Sequence, residues 1–552
     1  MNRFWLKSYP PGVPADIDAA RLTSLVDLLH QACASYRDHP AFEQMGRTIT
    51  YAQLDELTRD FGAWLQAAGM VKGDRIAIML PNTLQYPIAL FGALRAGLIV
   101  VNTNPLYTAR ELQHQLEDAG AVAILVLENF AHVVQEVVAH TRLKKVLVTA
   151  AGDFLGLPKS WIVNYVVRHR RKQVPPWQIA GALDFRDALR AGRKLPLNPV
   201  EVGPEDIAFL QYTGGTTGVA KGAMLTHGNM SSNILQAEAW IAGCLPQGSG
   251  VLITAIPLYH VFALTANCLL FAHRGWKNVL IINARDFPSL VKEMGKQPFA
   301  FFSGVNTLFN ALLNTPGFDA VDFSHLKVTL GGGMAVQEAV AKRWKAVTGK
   351  ILTQAWGLTE TSPAATINPT NEEFNGSIGL PIPSSEIAIR DDQGQDVPLG
   401  QTGEICVRGP HVMRGYWNRP DETAKVMLPG GWLRTGDVGY MNERGYVYLQ
   451  DRKKDLILVS GFNVYPNEVE DVAAHCPGVI ECAAVAQPDE HSGEVVALYV
   501  VPKDSNVTEQ DIIEFCRKSL AGYKVPKHVY FRKELPKSNV GKILRKELRE
   551  PR

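Results

Sequence analysis

The sequence has no Cys-x-x-Cys pair, no apolar run long enough to cross a bilayer, and almost no excess of charge of either sign. Each absence excludes a class. The seven cysteines (Cys33, Cys244, Cys268, Cys406, Cys476, Cys482 and Cys516) are scattered and odd in number. They suit neither a disulfide framework nor a zinc site, and point to a reducing compartment. The most apolar stretch, Ile88 to Val101, is short and interrupted by Arg95, whereas a spanning helix needs about 18 apolar residues or more. The first residues, MNRFWLKSYPPGVP, contain neither an apolar core nor a small-residue cleavage site, so no secretory signal is expected. A formal net charge of +2 gives no global attraction to nucleic acid, so any anion site must be local. Internal repeats and low-complexity segments are also lacking. The cytoplasm is the expected location.

What is present is an ordinary globular balance, 46% hydrophobic and 20% charged over 552 residues, too long for a single core. The first half alternates helical and strand patterns. Ser24 with Asp27 and Thr50 with Gln53 are capping boxes, the second ahead of a Leu54, Leu57, Phe61, Leu65 stripe. Short apolar strands are expected at Arg75 to Leu80, Ala121 to Val126 and Lys145 to Val148. This alternation predicts an α/β fold with a mostly parallel, helix-covered sheet. From about Glu386 the texture changes to short strands with Gly-rich turns. After Asp451 a small α+β module of about a hundred residues is expected, with strands at Leu456 to Val459, Ala483 to Ala486 and Val495 to Val501 and a helix capped by Thr508 and Asp511. The expected division is 1–450 and 451–552. Lys159 to Lys172, KSWIVNYVVRHRRK, joins Trp161, Ile162, Tyr165 and valines to a basic end, the mixture an interfacial helix near anionic lipid needs.

Four clusters carry chemistry. Tyr212 to Gly222, YTGGTTGVAKG, holds four glycines, three threonines and Lys221 after the apolar run Ile207 to Leu210. Glycines let backbone N–H groups approach an anion, and the lysine adds charge. It is a phosphate cradle by composition, yet not the common P-loop, because Ala220 precedes Lys221 and Gly222 follows it. The second cluster is Gln354-Ala355-Trp356-Gly357-Leu358-Thr359-Glu360-Thr361. There an aromatic residue can lie against a flat base, and a carboxylate can hold a hard cation between phosphates. Upstream, Gly331-Gly332-Gly333 is a stretch free of side chains. The third is Gly431 to Asp437 with Asp451-Arg452-Lys453-Lys454-Asp455, in which an aspartate and an arginine suit a ribose and a phosphate. The fourth is Pro536 to Arg545, with Lys542 among flexible residues.

In this order and spacing the clusters resemble the adenylate-forming superfamily of acyl-CoA synthetases, nonribosomal adenylation domains and luciferases, and most of all its bacterial long-chain fatty-acid–CoA ligases. Gly431 to Lys454, Ser460 to Asp471 and Gly522 to Lys527 match as well. The resemblance implies a large N-terminal adenylate-forming domain of several subdomains and a small mobile C-terminal domain that rotates about Asp451. It implies ATP, magnesium and coenzyme A. Thr213, Gly214, Gly215, Thr216, Thr217, Gly218 and Lys221 would hold phosphates, and Thr216 with Glu360 the magnesium. Gly332, Gly333, Ala355, Trp356, Gly357 and Thr359 would frame the nucleotide, Asp437 would take the ribose hydroxyls with Arg452, and His260 would line the acyl pocket. Lys542 would serve the first half-reaction, and Gly461 would meet pantetheine in the second. Ile256 to Phe271 and Phe299 to Phe309 are the expected acyl walls.

Two positions depart from the family pattern. Trp356 stands where tyrosine is usual, and Gly431 where the long-chain signature begins with asparagine. The expected partners are a fatty acid and coenzyme A, not nucleic acid; peripheral membrane contact and a homodimer are left open. The alternatives are acyl transfer to a carrier protein, a medium-chain or aryl acid–CoA ligase, and a non-catalytic lipid-binding adaptor.

Overall fold

Four sheets organise the chain. The computed structural model describes residues 3–213, 220–503 and 506–549. The first sheet has nine strands, with a parallel centre built from Pro40–Gln44, Lys277–Leu280, Val251–Thr254, Phe301–Gly304, Val328–Gly331 and Leu352–Gly357 and antiparallel strands at both ends. The second has eight strands, with Ile99–Asn102, Arg75–Met79, Ala123–Leu127 and Lys145–Thr149 parallel at its heart. Its Ile207–Thr213 strand runs parallel to Ile99–Asn102 and turns back antiparallel into Lys221–Thr226. A third, antiparallel sheet of five strands spans Glu386–Arg390 to Val447–Arg452. The fourth, also of five strands, is made from residues 457–531.

The local signals act as their chemistry dictates. Ser24 and Thr50 each accept the backbone N–H three residues on, and Asp27 and Gln53 return the bond, so helices Leu25–Ser35 and Tyr51–Ala67 begin where the capping boxes stand. Thr508 does the same for Glu509–Arg517. The central strands are buried on both faces, which is why they read as apolar runs rather than alternations. Lys159 to Arg170 is helical, an α-helix to Tyr165 continued by a wider π-turn at Val166–Arg170. No helix among the described residues is long and apolar enough to cross a membrane. All seven cysteines are free thiols, six of them buried.

A buried polar network links the first two sheets beneath the site. Asn82 donates to the carbonyls of Thr254 and Ile256 and accepts from the Leu258 amide. Tyr86 donates to the Leu258 carbonyl at 2.8 Å and Gln211 to that of Tyr259 at 2.7 Å. The Ile256 to His260 segment, which follows a strand of the first sheet, is thereby held by side chains from the second sheet and its adjoining segments. Each bond also satisfies a buried amide that would otherwise be costly.

Candidate active site

The first three sheets, the helix Pro466–Ala474 and strand Val479–Asp489 of the C-terminal unit, and the Lys542 loop line a cavity of about 1730 Å³. Thr213 closes its strand directly opposite Lys221, and both line the cavity. Gly214, Gly215, Thr216, Thr217 and Gly218, between them, lie outside the described residues. Lys221 pairs with Glu422, which also pairs with Lys425, and lies 5.2 Å from the centre of the Tyr416 ring. Hydrogen bonds from Lys221 and Lys425 pull the Glu422 carboxyl down to about 2. The Tyr416 hydroxyl donates to Glu360 Oε1 at 2.7 Å. One aromatic side chain thus joins the lysine to the carboxylate expected to meet a metal.

The adenine side is built from backbone that excludes side chains. A Cβ on Gly332 would lie 3.3 Å from both the Ala355 carbonyl oxygen and the Phe262 ring. Gly333 has φ +78°, and a Cβ there would lie 3.3 Å from Cε of Lys542. Ala355 and Trp356 end the strand Leu352–Gly357, whose register slips between Trp356 and Gly357. A Cβ at Gly357 would fall 1.8 Å from the Pro363 carbonyl oxygen, so only hydrogen fits. Thr359 and Glu360 follow in a single 3₁₀ turn.

Asp437 reaches the cavity through an irregularity in the third sheet. Cys406 pairs with Arg434 and Glu404 with Val438, so residues 435–437 bulge from the ladder. Glu404 holds the bulge by accepting from Arg434 and from the Gly436 amide at 3.0 Å. Asp437 is 2% exposed. Its Oδ2 accepts the Trp356 indole N–H at 2.8 Å, and Oδ1 lies 3.1 Å from Arg452 Nε. Among the described residues no hydrogen bond reaches Oδ1 besides this ion pair, and a carboxylate oxygen so placed can still accept from a sugar hydroxyl.

Lys542 enters on a short hairpin in which Lys537 bridges Ile543. The Gly541 carbonyl accepts from Thr307 at 2.7 Å, and the Lys542 amide donates to Ser538 Oγ. Burial, and behind it the Arg452 guanidinium, pushes the Lys542 ammonium down to about 8, against the upward pull of Asp437 and Glu360. His260 lines the same cavity, and its Nδ1 accepts the Phe262 amide. Burial, with Lys542 adding to it, lowers His260 to about 3, so its imidazole is neutral at physiological pH.

The cavity continues into an apolar chamber. Val261, Phe262, Thr265, Ala266, Leu270 and Phe301 come from the two expected wall segments. Ala237, Trp240 and Ile241 on helix His227–Ile241, Val328 and Leu330, and Ile367, Thr370 and Phe374 complete it and were not expected. Their apolar character matches that of ordinary core, so only the tertiary arrangement marks them. Tyr416 and Glu422 were also missed, as was the Trp356 to Asp437 bond. The aromatic pair Tyr416-Trp417 beside a glycine was the available signal.

Gly461 is not brought to this cavity. It sits at φ +84° in the exposed turn between Ile457–Val459 and Phe462–Val464. Asp451 is the next-to-last residue of the third sheet's last strand, Val447–Arg452, and is 1% exposed. Its oxygens accept the amides of Arg452 and Asn467, both at 2.8 Å. Burial raises its carboxyl to about 6 even with Arg545 nearby.

Comparison with known proteins agrees with this geometry. The AMP-binding enzyme family matches residues 29–417, and the AMP-binding enzyme C-terminal domain matches 468–542. A long-chain-fatty-acid–CoA ligase of Escherichia coli O6:H1 is 54% identical, covering 100% of this chain and 98% of its own. That of Haemophilus influenzae is 49% identical over the same shares. Among solved structures, the anthranilate CoA ligase AuaEII in complex with anthranoyl-AMP superposes with a TM-score of 0.85 at 25% identity, covering 96% of this chain and 97% of that one. The chain therefore belongs to the AMP-binding enzyme family, in its branch of bacterial long-chain fatty-acid–CoA ligases.

Proposed function

We propose that the two half-reactions of this ligase run in one cavity: ATP activates a long-chain fatty acid as the acyl-adenylate, and coenzyme A then takes the acyl group. The observation that carries this reading is the Lys542 hairpin, seated against Gly333 in a cavity that also holds Asp437, Glu360 and the apolar chamber.

In the first step a carboxylate oxygen of the fatty acid bonds to the α-phosphorus of ATP, and the bond to the pyrophosphate oxygen breaks. Lys542 offsets the charge of the reacting carboxylate and α-phosphate, and Lys221 that of the departing oxygens. An incoming polyphosphate competes with Glu422 for Lys221. Magnesium, held by Glu360 and Thr216, would neutralise phosphate charge. The Glu360 carboxylate, which lines the cavity, suits that ion, which takes its other ligands from phosphates and water. Neutral His260 borders the acid's carboxylate without adding a charge. In the second step the coenzyme A thiol, losing its proton to solvent, bonds to the acyl carbon, and AMP departs.

The exposed position of Gly461 supports a rotation of residues 451–552 on 1–450 about Asp451, which withdraws Lys542 and brings the Gly461 turn to the thioester side. Peripheral contact with a cytoplasmic membrane surface is supported by Leu157 and Trp161, each 73% exposed, and by Ile162 and Tyr165, each 58% exposed. Arg170 and Arg171 beside them make no ion pair among the described residues, whereas Arg168 is held by Glu128.

The deciding measurement is coenzyme A-dependent AMP formation across acids from acetate to oleate. A maximum at long chains with acyl-CoA as product is expected. AMP or pyrophosphate exchange without thioester would redirect the acyl group to a carrier protein. Lys542→Ala should slow adenylation by about 3–4 kcal/mol of barrier and spare thioester formation from supplied acyl-adenylate. The opposite pattern would overturn the role of Lys542.

A further inference from the structure

Glu360 stands on the single turn Thr359–Thr361. A glutamate side chain has several torsions to settle, so its backbone alone does not aim its carboxylate. The aiming comes from another part of the chain. The Met413 amide donates to the Glu360 carbonyl at 2.8 Å, and the Tyr416 hydroxyl donates to Glu360 Oε1 at 2.7 Å. Among the described residues this phenol is the carboxylate's hydrogen-bond donor. The same stretch grips the strand that begins at Lys221. Tyr416 pairs with Ala223, and the Trp417 amide donates to the Gly222 carbonyl at 2.8 Å. Lys221 Nζ lies 5.2 Å from the centre of the Tyr416 ring, within the range at which a ring face attracts an ammonium. Tyr416 is 8% exposed, and its amide donates to Thr423 Oγ1 at 2.9 Å. Its ring is thus held between a carboxylate and a lysine that come from different sheets.

We infer that Tyr416 is a positioning residue for the metal-bound polyphosphate: its hydroxyl orients the Glu360 carboxylate, and its ring keeps Lys221 at the same end of the cavity. The inference rests on the reading of this cavity as the ATP site and of Glu360 as the carboxylate that meets magnesium. A ligating carboxylate held by a hydrogen bond presents one direction to its ion, and loss of such a partner lowers metal affinity or activity about 10- to 100-fold. Tyr416 acts through Glu360 and Lys221 and needs no contact of its own with the reacting atoms.

The test is calorimetric binding of ATP to the full chain without fatty acid, once with magnesium and once in EDTA. It is run on the natural protein, Tyr416→Phe, Tyr416→Leu, Glu360→Gln and the double variant of Tyr416→Phe with Glu360→Gln. Phenylalanine keeps the ring over Lys221 and removes only the hydroxyl. Natural protein should bind ATP more tightly with magnesium than in EDTA. In Tyr416→Phe the Kd with magnesium should rise about tenfold or more, while the Kd in EDTA stays within about threefold of the natural value. Tyr416→Leu, which also serves if phenylalanine folds poorly, should show the same loss with magnesium and in addition raise the Kd in EDTA about threefold, through the missing ring. In the Glu360→Gln background, Tyr416→Phe should change either Kd by less than about threefold. A merely structural tyrosine would lower Tm and weaken binding alike with and without magnesium. That pattern, an unchanged Kd with magnesium in Tyr416→Phe, or equal losses with and without the Glu360 carboxylate, overturns the inference. Failure of the natural protein to bind ATP would instead sink the ATP reading, and equal binding with and without magnesium the metal role of Glu360; either takes this inference with it.

Discussion

Replacing Arg545 by methionine should separate the two half-reactions. Arg545 opens the helix Arg545–Arg549, three residues after Lys542, and its side chain is 17% exposed. It grips Glu470 with two bonds of 3.0 and 2.7 Å and Asn467 with one of 2.7 Å, all within the small C-terminal unit. Its remaining reach is to the hinge: Nη1 lies 3.4 Å from Asp451 Oδ1 and 3.7 Å from Asp455. On the proposed rotation about Asp451, the Glu470 and Asn467 bonds would travel with the small domain, so their loss would cost stability in both orientations. Breaking such a buried pair costs about 3–5 kcal/mol. The Asp451 contact is present in the orientation described, with Lys542 inserted, and the proposed hinge makes it the one that rotation would break. As a hydrogen bond between charged groups it contributes about 1.5–3 kcal/mol, which lowers the ratio of lysine-in to lysine-out states by about tenfold or more. Pyrophosphate exchange should therefore fall by about that factor in Arg545→Met, with thioester formation from supplied acyl-adenylate within about threefold of the natural protein. The coupling is checked by a cycle with Asp451→Asn, in which Arg545→Met should have little further effect on exchange. Equal loss of both half-reactions, or additive losses in the cycle, would refute the hinge contact and leave Arg545 as a stabiliser of the small domain alone.

Because Lys542 is pushed down to about 8 by burial and Arg452, it carries its charge below that pH and loses it above. Exchange kcat/KM, measured without coenzyme A, should decline as pH rises through about 8, since this parameter follows the free enzyme. In Lys542→Arg any remaining activity should lack that decline; if the decline stays, another group is responsible. Trp240 lines the acyl chamber and donates to the Asn368 carbonyl at 3.1 Å. Trp240→Ala should shift the preferred acid toward longer or bulkier chains at a stability cost of about 3–5 kcal/mol, seen in the acid series and a thermal melt; an unchanged chain-length profile would remove Trp240 from the chamber wall. Gly357→Ala places a Cβ against the Pro363 carbonyl oxygen and should destabilise by about 4 kcal/mol or more, so an unchanged Tm would contradict the packing described. Neutralising Arg170 and Arg171 should weaken flotation with anionic liposomes and its salt dependence, whereas unchanged, salt-insensitive binding would rule out the electrostatic attachment.

Features whose information is local were legible in the chain. Capping boxes at Ser24, Thr50 and Thr508 declare a helix start because both partners lie within four residues. Strands such as Lys145–Thr149 declare themselves because burial on both faces demands an unbroken apolar run. The glycines around Lys221 and before Met334 announce close backbone approach, and the order of the four clusters was enough to place the chain in its family. What lay beyond the sequence depends on contacts between residues far apart. Asp437 and Trp356 are 81 positions apart and meet only because a bulge in one sheet faces a bulge in another. Glu422 comes to Lys221 across 201 positions, and Thr307 holds the Lys542 hairpin across 234. Half the acyl chamber comes from residues that read as core, because an apolar side chain facing a cavity has the same composition as one facing a neighbour. The sequence by itself determined the elements, the family and the residues capable of the chemistry. The tertiary structure alone decided what Asp437 and Lys221 pair with, and that Lys542 rather than Gly461 occupies the cavity, since hydrogen-bond geometry and domain orientation are set by packing across hundreds of residues.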